Sequence, residues 1–293
     1  MSRSGFVALA GRPNVGKSTL LNDLVGEKVA IASNRPQTTR RAIRGIVTRE
    51  DWQLVLVDLP GVQRPRDVLT ERMQRQVVRA LADADAAVFV LNGEQTIGPG
   101  DRFIAEALKR VGLPVITVVN KVDALDRERT VRGLSAAADL GVQGEVFPIS
   151  ARKGQGVDEV KSELIALMPE GPFLYPPEDH SDLPERVRMA ELVREQVLLR
   201  TREELPHAVE VEVEEMEERD DGLLVIEARV WAESDSQKGI LIGSGGSMIK
   251  SIGTAARGEI EAALGRKVHL DLNVRVRKGW RRDEGLLDRL GID

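Results

Sequence analysis

The sequence contains no cysteine, no long apolar run and no leader-like N-terminus. Without cysteine, the chain can form neither a disulfide framework nor a cysteine-ligated metal site, which fits a reducing compartment. The longest apolar runs, of about six residues as at 86–91, are far shorter than the ~18 residues that span a bilayer. A basic stretch followed by an apolar stretch, typical of a signal peptide, is absent. We therefore expect a cytoplasmic protein with no transmembrane segment.

The chain also has little net charge, but its charges are segregated. The 293 residues are enough for about two domains, and the formal net charge is −5. This average argues against a nucleic-acid partner. However, residues 203–221 contain ten acidic side chains and one basic, whereas residues 236–282 contain ten basic side chains and three acidic. The charge of each segment is therefore more informative than the total.

Short apolar runs alternate with helix-compatible stretches in the first part of the chain. Because these runs are apolar at nearly every position, they are typical of parallel strands covered on both faces. The alternation predicts a doubly wound α/β domain that ends near residue 170, with ligands bound beyond the carboxyl ends of its strands. The predicted strands are 6–10, 54–57, 86–91, 114–119 and 146–149.

The strongest motif is Gly-Arg-Pro-Asn-Val-Gly-Lys-Ser at residues 11–18. It follows the first predicted strand and precedes a helix-compatible segment, as a phosphate-binding loop requires. The glycines allow close backbone approach, and the helix beginning near Lys17 directs its positive end at the same point. Lys17 would reach the outer phosphates, and the Ser18 hydroxyl would bind Mg²⁺. The motif predicts a nucleoside triphosphate site.

Asp58-Leu59-Pro60-Gly61 follows the second predicted strand. A carboxylate at that strand end can hold Mg²⁺, and Gly61 leaves its backbone N–H free to approach the γ-phosphate. Asp, Pro and Gly are ordinary turn residues, so the pattern alone is weak. Its position 41 residues after Lys17 makes it specific.

Asn120-Lys121-Val122-Asp123 follows the fourth predicted strand and indicates the base. One carboxylate at Asp123 can accept both the ring N–H and the exocyclic amine of guanine, and adenine offers no such pair. A site built in this way rejects the wrong base because a charged acceptor would lose its partners. Asn120 would hold the loop and contact the base, and the Lys121 stem would cover the ring. Ser150-Ala151 would present a backbone N–H to the guanine oxygen.

These four motifs, in this order, resemble a translation-factor-type small GTPase. The segment Asn34-Arg35-Pro36-Gln37-Thr38-Thr39-Arg40-Arg41 is similar to the first switch of the Era family. The resemblance implies that Thr38 or Thr39 completes the Mg²⁺ sphere, with Thr39 favoured, and that 30–41 and 59–70 are mobile switches. The residues expected to bind nucleotide are Gly11, Asn14, Val15, Gly16, Lys17, Ser18, Thr19, Thr38, Thr39, Asp58, Gly61, Asn120, Lys121, Asp123, Ser150 and Ala151.

The position after Gly61 is Val62, which cannot orient the attacking water as the glutamine of Ras-like enzymes does. Asn14 resembles the residue that holds K⁺ in several relatives without that glutamine. One hypothesis is therefore slow GTP hydrolysis stimulated by K⁺ at Asn14; the other is that Asn14 only braces its own loop. The residues expected to act in catalysis are Lys17, Thr39, Gly61 and Asn14.

Residues 172–185 form a proline-rich segment without a basic residue, which predicts a stiff connector between domains 1–171 and 186–293. His180 within it is expected to be solvated. Beyond the connector, we expect a helix over 186–204 and strands over 208–213 and 223–231. Two helices separated by a short loop should follow, the second ending near residue 264, and then a strand over 268–276. The run 217–222 is expected to be a turn.

Gly243-Ser244-Gly245-Gly246 lies between the two predicted helices and is the G-X-X-G signature of a KH domain. Such a loop lets a nucleic-acid backbone approach closely and clamps about four nucleotides. The basic excess around it matches the electrostatic footprint of a phosphate ligand. Trp280 would either stack on a base or pack against the C-terminal tail. The residues expected to contact RNA are Lys238, Ile242, Gly243, Ser244, Gly245, Gly246, Ile249, Lys250, Arg275, Arg277, Lys278 and Trp280.

A P-loop GTPase domain followed by a type II KH domain resembles the Era family over essentially the whole chain. The resemblance implies binding of GTP or GDP with Mg²⁺, binding of small-subunit ribosomal RNA near its 3′ end, a role in small-subunit assembly, and some peripheral membrane association. We expect a monomer. Two alternatives stay open: a membrane-surface GTPase that binds anionic lipid, and a GTP-fuelled factor that remodels or modifies RNA.

Overall fold

The computed structural model describes residues 2–33, 35, 37–62, 64–202 and 205–292. Asn34 and Pro36 of the predicted switch, and Glu203 and Glu204 of the acidic run, lie outside the described residues. The chain divides into two compact units. One consists of residues 1–66 and 70–182, and the other of residues 67–69 and 183–293.

The first unit has a six-stranded sheet of order β2-β3-β1-β4-β5-β6. Its strands are β1 Arg3–Ala10, β2 Ile43–Thr48, β3 Trp52–Asp58, β4 Ala86–Asn92, β5 Val115–Asn120 and β6 Val146–Pro148. Its helices are α1 Lys17–Val25, α2 Val68–Ala82, α3 Pro99–Val111, α4 Arg127–Ala138 and α5 Val157–Leu167, and the first two residues of α2 are assigned to the other unit. All five predicted strands are present and pair in parallel. The unpredicted strand β2 pairs antiparallel with β3.

Both faces of this sheet are buried. Leu20 and Leu24 of α1 and Val160 of α5 belong to the core on one face. Val77 of α2 and Ile104 of α3 belong to the core on the other. This two-sided burial explains why the strands are apolar at nearly every position. It also brings the carboxyl ends of β1, β3 and β5 to one edge of the sheet, where the predicted nucleotide motifs lie.

The connector contacts the first unit along its edge strand. Gln53 accepts from the backbone N–H groups of Leu174 and Tyr175 through Oε1, and its Nε2 donates to the Tyr175 carbonyl. The backbone N–H of Ile46 donates to the carbonyl of His180, whose side chain is exposed as predicted. The side chain of Gln53 and the backbone of Ile46 therefore hold the connector against β3 and β2 through its own backbone groups.

The second unit has a three-stranded sheet of order β7-β8-β9, in which β7 and β8 are antiparallel and β8 and β9 are parallel. Its strands are β7 Glu210–Glu218, β8 Leu224–Ala232 and β9 Val268–Val276, and its helices are α6 Glu185–Arg200, α7 Leu205–Ala208, α8 Asp235–Ile242, α9 Ser247–Leu264 and α10 Glu284–Arg289. One core joins the sheet to α6, α8 and α9. The element order is the predicted one, with α7 and α10 added.

The acidic run differs from the prediction. Residues 217 and 218, which were predicted to begin a turn, continue β7 instead, so the turn begins at Arg219. The strand persists because Met216 pairs with Ile226 across the sheet and packs on the core, and a bulge between Val213 and Glu215 corrects the register. Alternation along a strand lets the intervening glutamates face solvent.

Candidate functional site

The phosphate-binding loop connects β1 to α1 and contains left-handed backbone at Asn14 (φ 64°) and Gly16 (φ 102°). A Cβ on Gly16 would lie 2.2 Å from Nδ2 of Asn120. That amide donates to the carbonyl of Val15 at 2.8 Å. Only glycine therefore lets the loop and the β5 end approach each other this closely.

Lys17 is buried over this loop. Its Nζ donates to the carbonyls of Gly11 and Arg12, at 3.3 and 3.2 Å. Burial lowers the pKa of Lys17, and the Asp58 carboxylate opposes that shift. The ammonium and the first turn of α1 both lie at the loop, which makes the loop attractive to anions.

Three side-chain oxygens meet beside the loop. Asp58 Oδ2 accepts from the hydroxyls of Ser18 (2.6 Å) and Thr39 (3.0 Å), and those two hydroxyls lie 3.1 Å apart. Asp58 is fully buried, and its Oδ1 has no hydrogen-bond partner among the described residues. Burial raises its pKa, while Lys17 and the two hydroxyls lower it. A buried carboxylate with an unused oxygen and two adjacent hydroxyls fits a hard cation such as Mg²⁺.

The two candidate threonines point to different partners. The Thr38 hydroxyl donates to the Arg35 carbonyl at 2.6 Å and lies 2.7 Å from the Ser33 hydroxyl. Thr39 is the one that contacts Asp58 and Ser18. The geometry therefore distinguishes two neighbours that sequence reasoning could only rank.

Gly61 lies against the loop, since a Cβ at this position would be 2.6 Å from Cγ of Pro13. A solvent-open cleft lies between them. Its lining residues are Pro13, Asn14, Gly16, Lys17, Ser18, Thr19, Ala32, Ser33, Gln37, Thr38, Thr39 and Gly61. It thus combines the phosphate-binding loop with both switch segments, while the base-selecting motif lies outside it.

Asp123 occupies a 3₁₀ turn just after β5, and its side chain is 5% exposed. Oδ1 accepts from the Ser150 hydroxyl at 2.8 Å, and Oδ2 from the guanidinium of Arg152 at 2.6 Å. The Ser150 hydrogen bond is the largest influence that lowers the pKa of Asp123, and Arg152 adds to it. The structure thus presents an ionised acceptor at the place predicted to select the base.

Asn120 acts as a hub of backbone hydrogen bonds. Besides donating to Val15, it accepts from the N–H groups of Lys121 and Ala151 through Oδ1, at 2.8 and 3.0 Å. This confirms the expected loop-holding contact. Ser150-Ala151 was expected to present a backbone N–H to the guanine oxygen. In the structure, the Ala151 N–H donates to Asn120, and the Ser150 N–H donates to the Gln155 carbonyl. The Lys121 ammonium lies 3.2 Å from Glu94.

Two supporting contacts were not predicted. Asn22 of α1 accepts from the N–H groups of Val29 and Ala30 and donates to the Ala30 carbonyl, which anchors the start of the first switch. Arg12 pairs with the buried carboxylate of Asp101 at 2.7 Å. Arg12 occupies an unspecified position of the phosphate-binding motif and Asn22 lies outside every motif, so the sequence pattern alone indicates neither contact.

The G-X-X-G loop joins α8 to α9 in the second unit. Gly243, Gly245 and Gly246 all have positive φ, at 73°, 57° and 80°. A Cβ on Gly243 would lie 2.8 Å from the backbone nitrogen of Met248, whereas a Cβ on Gly245 would meet nothing within 4 Å. Gly245 and the adjacent Ser244 are exposed, so the loop offers an open backbone surface.

The other predicted RNA contacts separate into three groups. Lys250, Arg275 and Lys278 are exposed. Lys238, Ile242, Ile249 and Arg277 are half-buried, and Arg277 forms an ion pair with Asp283. Trp280 is fully buried, and its Nε1 donates to the Ala208 carbonyl at 2.9 Å. The stacking prediction for Trp280 is therefore wrong, because a fully buried ring has no open face for a base.

No helix in the described parts of the chain is both long and apolar enough to span a membrane. Within the same residues, no group of three or more histidine, aspartate or glutamate side chains could hold a metal ion. A metal at the nucleotide site would thus depend on Asp58, the two hydroxyls and ligand oxygens.

Sequence comparison agrees with both units. The family described as 50S ribosome-binding GTPase matches residues 6–121, and the KH domain family matches residues 204–281. The GTPase Era of Mycolicibacterium smegmatis is 46% identical over 295 residues, which cover 99% of each chain.

Structural comparison extends over the whole chain. The crystal structure of Era in complex with MgGDPNP and nucleotides of 16S ribosomal RNA has a TM-score of 0.95 at 36% identity, and the match covers 100% of this chain and 99% of that one. A variant of Aquifex aeolicus Era bound to GDP and AlF4⁻ has the same score and identity, with 99% of each chain covered. Together with the two domains and the motif order, these similarities show that the chain belongs to the Era family of GTPases.

Proposed function

We propose that this GTPase binds small-subunit ribosomal RNA near its 3′ end through the G-X-X-G loop, and that bound GTP controls this interaction during small-subunit assembly. The full-length similarity to Era in complex with MgGDPNP and 16S ribosomal RNA supports the proposal most directly. The exposed backbone of Ser244 and Gly245 and the exposed Lys250, Arg275 and Lys278 also support it, since such a surface suits a phosphate backbone.

Nucleotide binding is proposed to involve GTP or GDP with Mg²⁺. Lys17 would bind the outer phosphates, and Ser18, Thr39 and Asp58 would hold the ion directly or through water. Bound Mg²⁺ neutralises charge on the phosphate oxygens. The hydroxyl–carboxylate cluster and the unused Asp58 Oδ1 support this assignment.

For hydrolysis, we propose that K⁺ at Asn14 supplies part of the charge that a water-orienting glutamine or an arginine finger would contribute elsewhere. The left-handed backbone at Asn14, inside the cleft, supports a specialised role. Hydrolysis by the native protein is expected to be faster in K⁺ than in Na⁺, and Asn14→Ala should remove the difference. Equal rates in both salts for the native protein would contradict the hypothesis.

The RNA proposal is tested by measuring the affinity for a transcript of the small-subunit 3′ end, with a GTP analogue or with GDP bound. Gly245→Asp should weaken binding strongly, because it adds a negative charge at an open site whose φ of 57° aspartate tolerates. Gly258→Asp is the matched control, since it adds the same charge at an exposed position of α9 away from the loop. Equal RNA affinities of the two nucleotide states, or equal effects of the two variants, would contradict the proposal. Binding to anionic liposomes instead of RNA would favour the membrane alternative.

A further inference from the structure

Arg152 contacts the base-selecting carboxylate but belongs to none of the predicted motifs. It directly follows Ser150-Ala151, and its Nη2 lies 2.6 Å from Oδ2 of Asp123. The Arg152 side chain is 77% exposed, whereas that of Asp123 is 5% exposed. The acceptor, Asp123, is thus buried, whereas the donor, Arg152, is largely exposed to solvent.

The acceptor is fixed by its local backbone. Lys121 has left-handed backbone, and its N–H donates to Asn120 Oδ1 at 2.8 Å. The N–H of Val122 donates to the Ile149 carbonyl at 3.1 Å. These contacts hold the turn that carries Asp123. By contrast, among the residues that the structure describes, the Arg152 side chain forms a single hydrogen bond, the one to Asp123. Arg152 can therefore leave or return without disturbing the turn.

The two oxygens of Asp123 have different partners. Ser150 donates to Oδ1, and Arg152 donates to Oδ2. A guanine held by this carboxylate would need one oxygen for its ring N–H and the other for its exocyclic amine. Arg152 and a guanine donor would therefore share the same acceptor.

Hypoxanthine differs from guanine only by lacking the exocyclic amine. In a site of this kind, discrimination arises because the missing donor leaves a buried acceptor unpaired. A guanidinium that stays on the acceptor would remove much of that penalty. The cost of binding an inosine nucleotide would then be smaller than in a site with no such arginine.

We propose that Arg152 sets the specificity of the nucleotide site by donating to Asp123 Oδ2 when the base lacks an exocyclic amine, which reduces discrimination against hypoxanthine nucleotides. This inference rests on the proposed role of Asp123 as the guanine selector. Because Arg152 is largely exposed, its ion pair has the modest strength of surface pairs, and we expect a two- to fivefold effect, in the range of about 0.4–1 kcal/mol.

The test compares the affinities of the full chain for GDP and IDP, by competition with a fluorescent guanine nucleotide. Arg152→Gln should raise the GDP-to-IDP affinity ratio about two- to fivefold, mainly through weaker IDP binding. Lys153→Gln is the matched control: it removes a neighbouring charge that also acts on Asp123 but donates no hydrogen bond to it. This variant should leave the ratio unchanged.

An unchanged or lower ratio in Arg152→Gln would overturn the proposal, and equal losses for GDP and IDP would show a positioning role instead. The role of Asp123 is tested separately with XDP, whose base carries an oxygen in place of the amine. Asp123→Asn should shift preference from GDP towards XDP. If it does not, the guanine-selecting role itself fails, whatever the result for Arg152.

Discussion

Lys17 and Asp58 show how burial sets the chemistry of single residues here. Burial lowers the pKa of the lysine and raises that of the aspartate, and each charge partly offsets the shift of the other. Isolated charges in such a site would be costly, so the pair depends on mutual attraction and on the Ser18 and Thr39 hydroxyls. Because Lys17 and Asp58 are both buried, their interactions with phosphate or Mg²⁺ are screened less than they would be at the surface.

The two threonines of the first switch allow a matched comparison. Thr39→Ala removes a hydroxyl that contacts both Ser18 and Asp58. The Mg²⁺ concentration needed for GTP-analogue binding should therefore rise by roughly tenfold or more, which corresponds to the loss of about one charge-assisted hydrogen bond. Thr38→Ala removes a contact to the Arg35 carbonyl and should change Mg²⁺ dependence much less. Mg²⁺ titration of binding checks this, and a larger effect at Thr38 would contradict the assignment.

The pKa of Asp123, measured at acidic pH, tests the hydrogen bond between Ser150 and Asp123. Because the folded pKa of Asp123 is depressed below its unfolded value, its stabilising contribution is present above the unfolded pKa and is lost as the pH falls through the folded pKa. Ser150→Ala removes the largest cause and should raise that pKa. Carboxyl NMR titration of both proteins measures it directly. An unchanged pKa in the variant would show that Arg152 and Lys153 sustain the shift without Ser150.

At the scale of elements, the turn between α8 and α9 combines rigidity with exposure. Gly243 combines φ 73° with ψ 172°, a backbone region that is essentially restricted to glycine. Gly245 and Gly246 have positive φ with open space around them. The first glycine is therefore required for the turn, while the other two keep its outer surface free of side chains.

Gly243→Ala should destabilise the protein by about 1–3 kcal/mol, because a Cβ would be strained at this φ and would meet the backbone of Met248. Gly239→Ala, in the preceding helix with nothing within 4 Å of its Cβ, should stabilise by about 0.5–1 kcal/mol. Urea unfolding of the full chain gives both differences. Similar shifts in the two variants would refute the role assigned to Gly243.

Element types were largely predictable from local pattern, and the misses have local causes. Strand β2 was missed because residues 43–48 contain Arg44 and Gly45 among apolar residues, which weakens the pattern of a buried strand. The extension of β7 was missed because consecutive glutamates resemble a turn in composition. In the structure, cross-strand pairing with β8 outweighs this composition.

At the scale of the whole molecule, each unit has its own core, and the chain has a nucleotide site in one unit and a proposed RNA surface in the other. In a protein that binds two ligands, each ligand can change the binding free energy of the other, and the two changes are equal. The proposed control of RNA binding by GTP can therefore be measured from either ligand.

If GTP strengthens RNA binding, RNA must raise the affinity for a GTP analogue by the same factor, about 5–150-fold for typical coupling. Titrating the analogue with and without the 3′-end transcript, and the transcript with and without the analogue, gives both factors. Gly245→Asp should abolish the effect, and Gly258→Asp should preserve it. Coupling factors of one in both titrations would contradict the proposal that GTP controls RNA binding.

The amino-acid sequence by itself determined the family, the nucleotide motifs and the G-X-X-G loop, because each depends on backbone geometry encoded by a few consecutive residues. The tertiary structure decided which threonine contacts Asp58, that Arg152 lies on Asp123, that Trp280 is buried and that the connector follows β2. These outcomes depend on contacts between distant residues. Such contacts are set by how the strands and helices pack, which no short segment of the chain encodes.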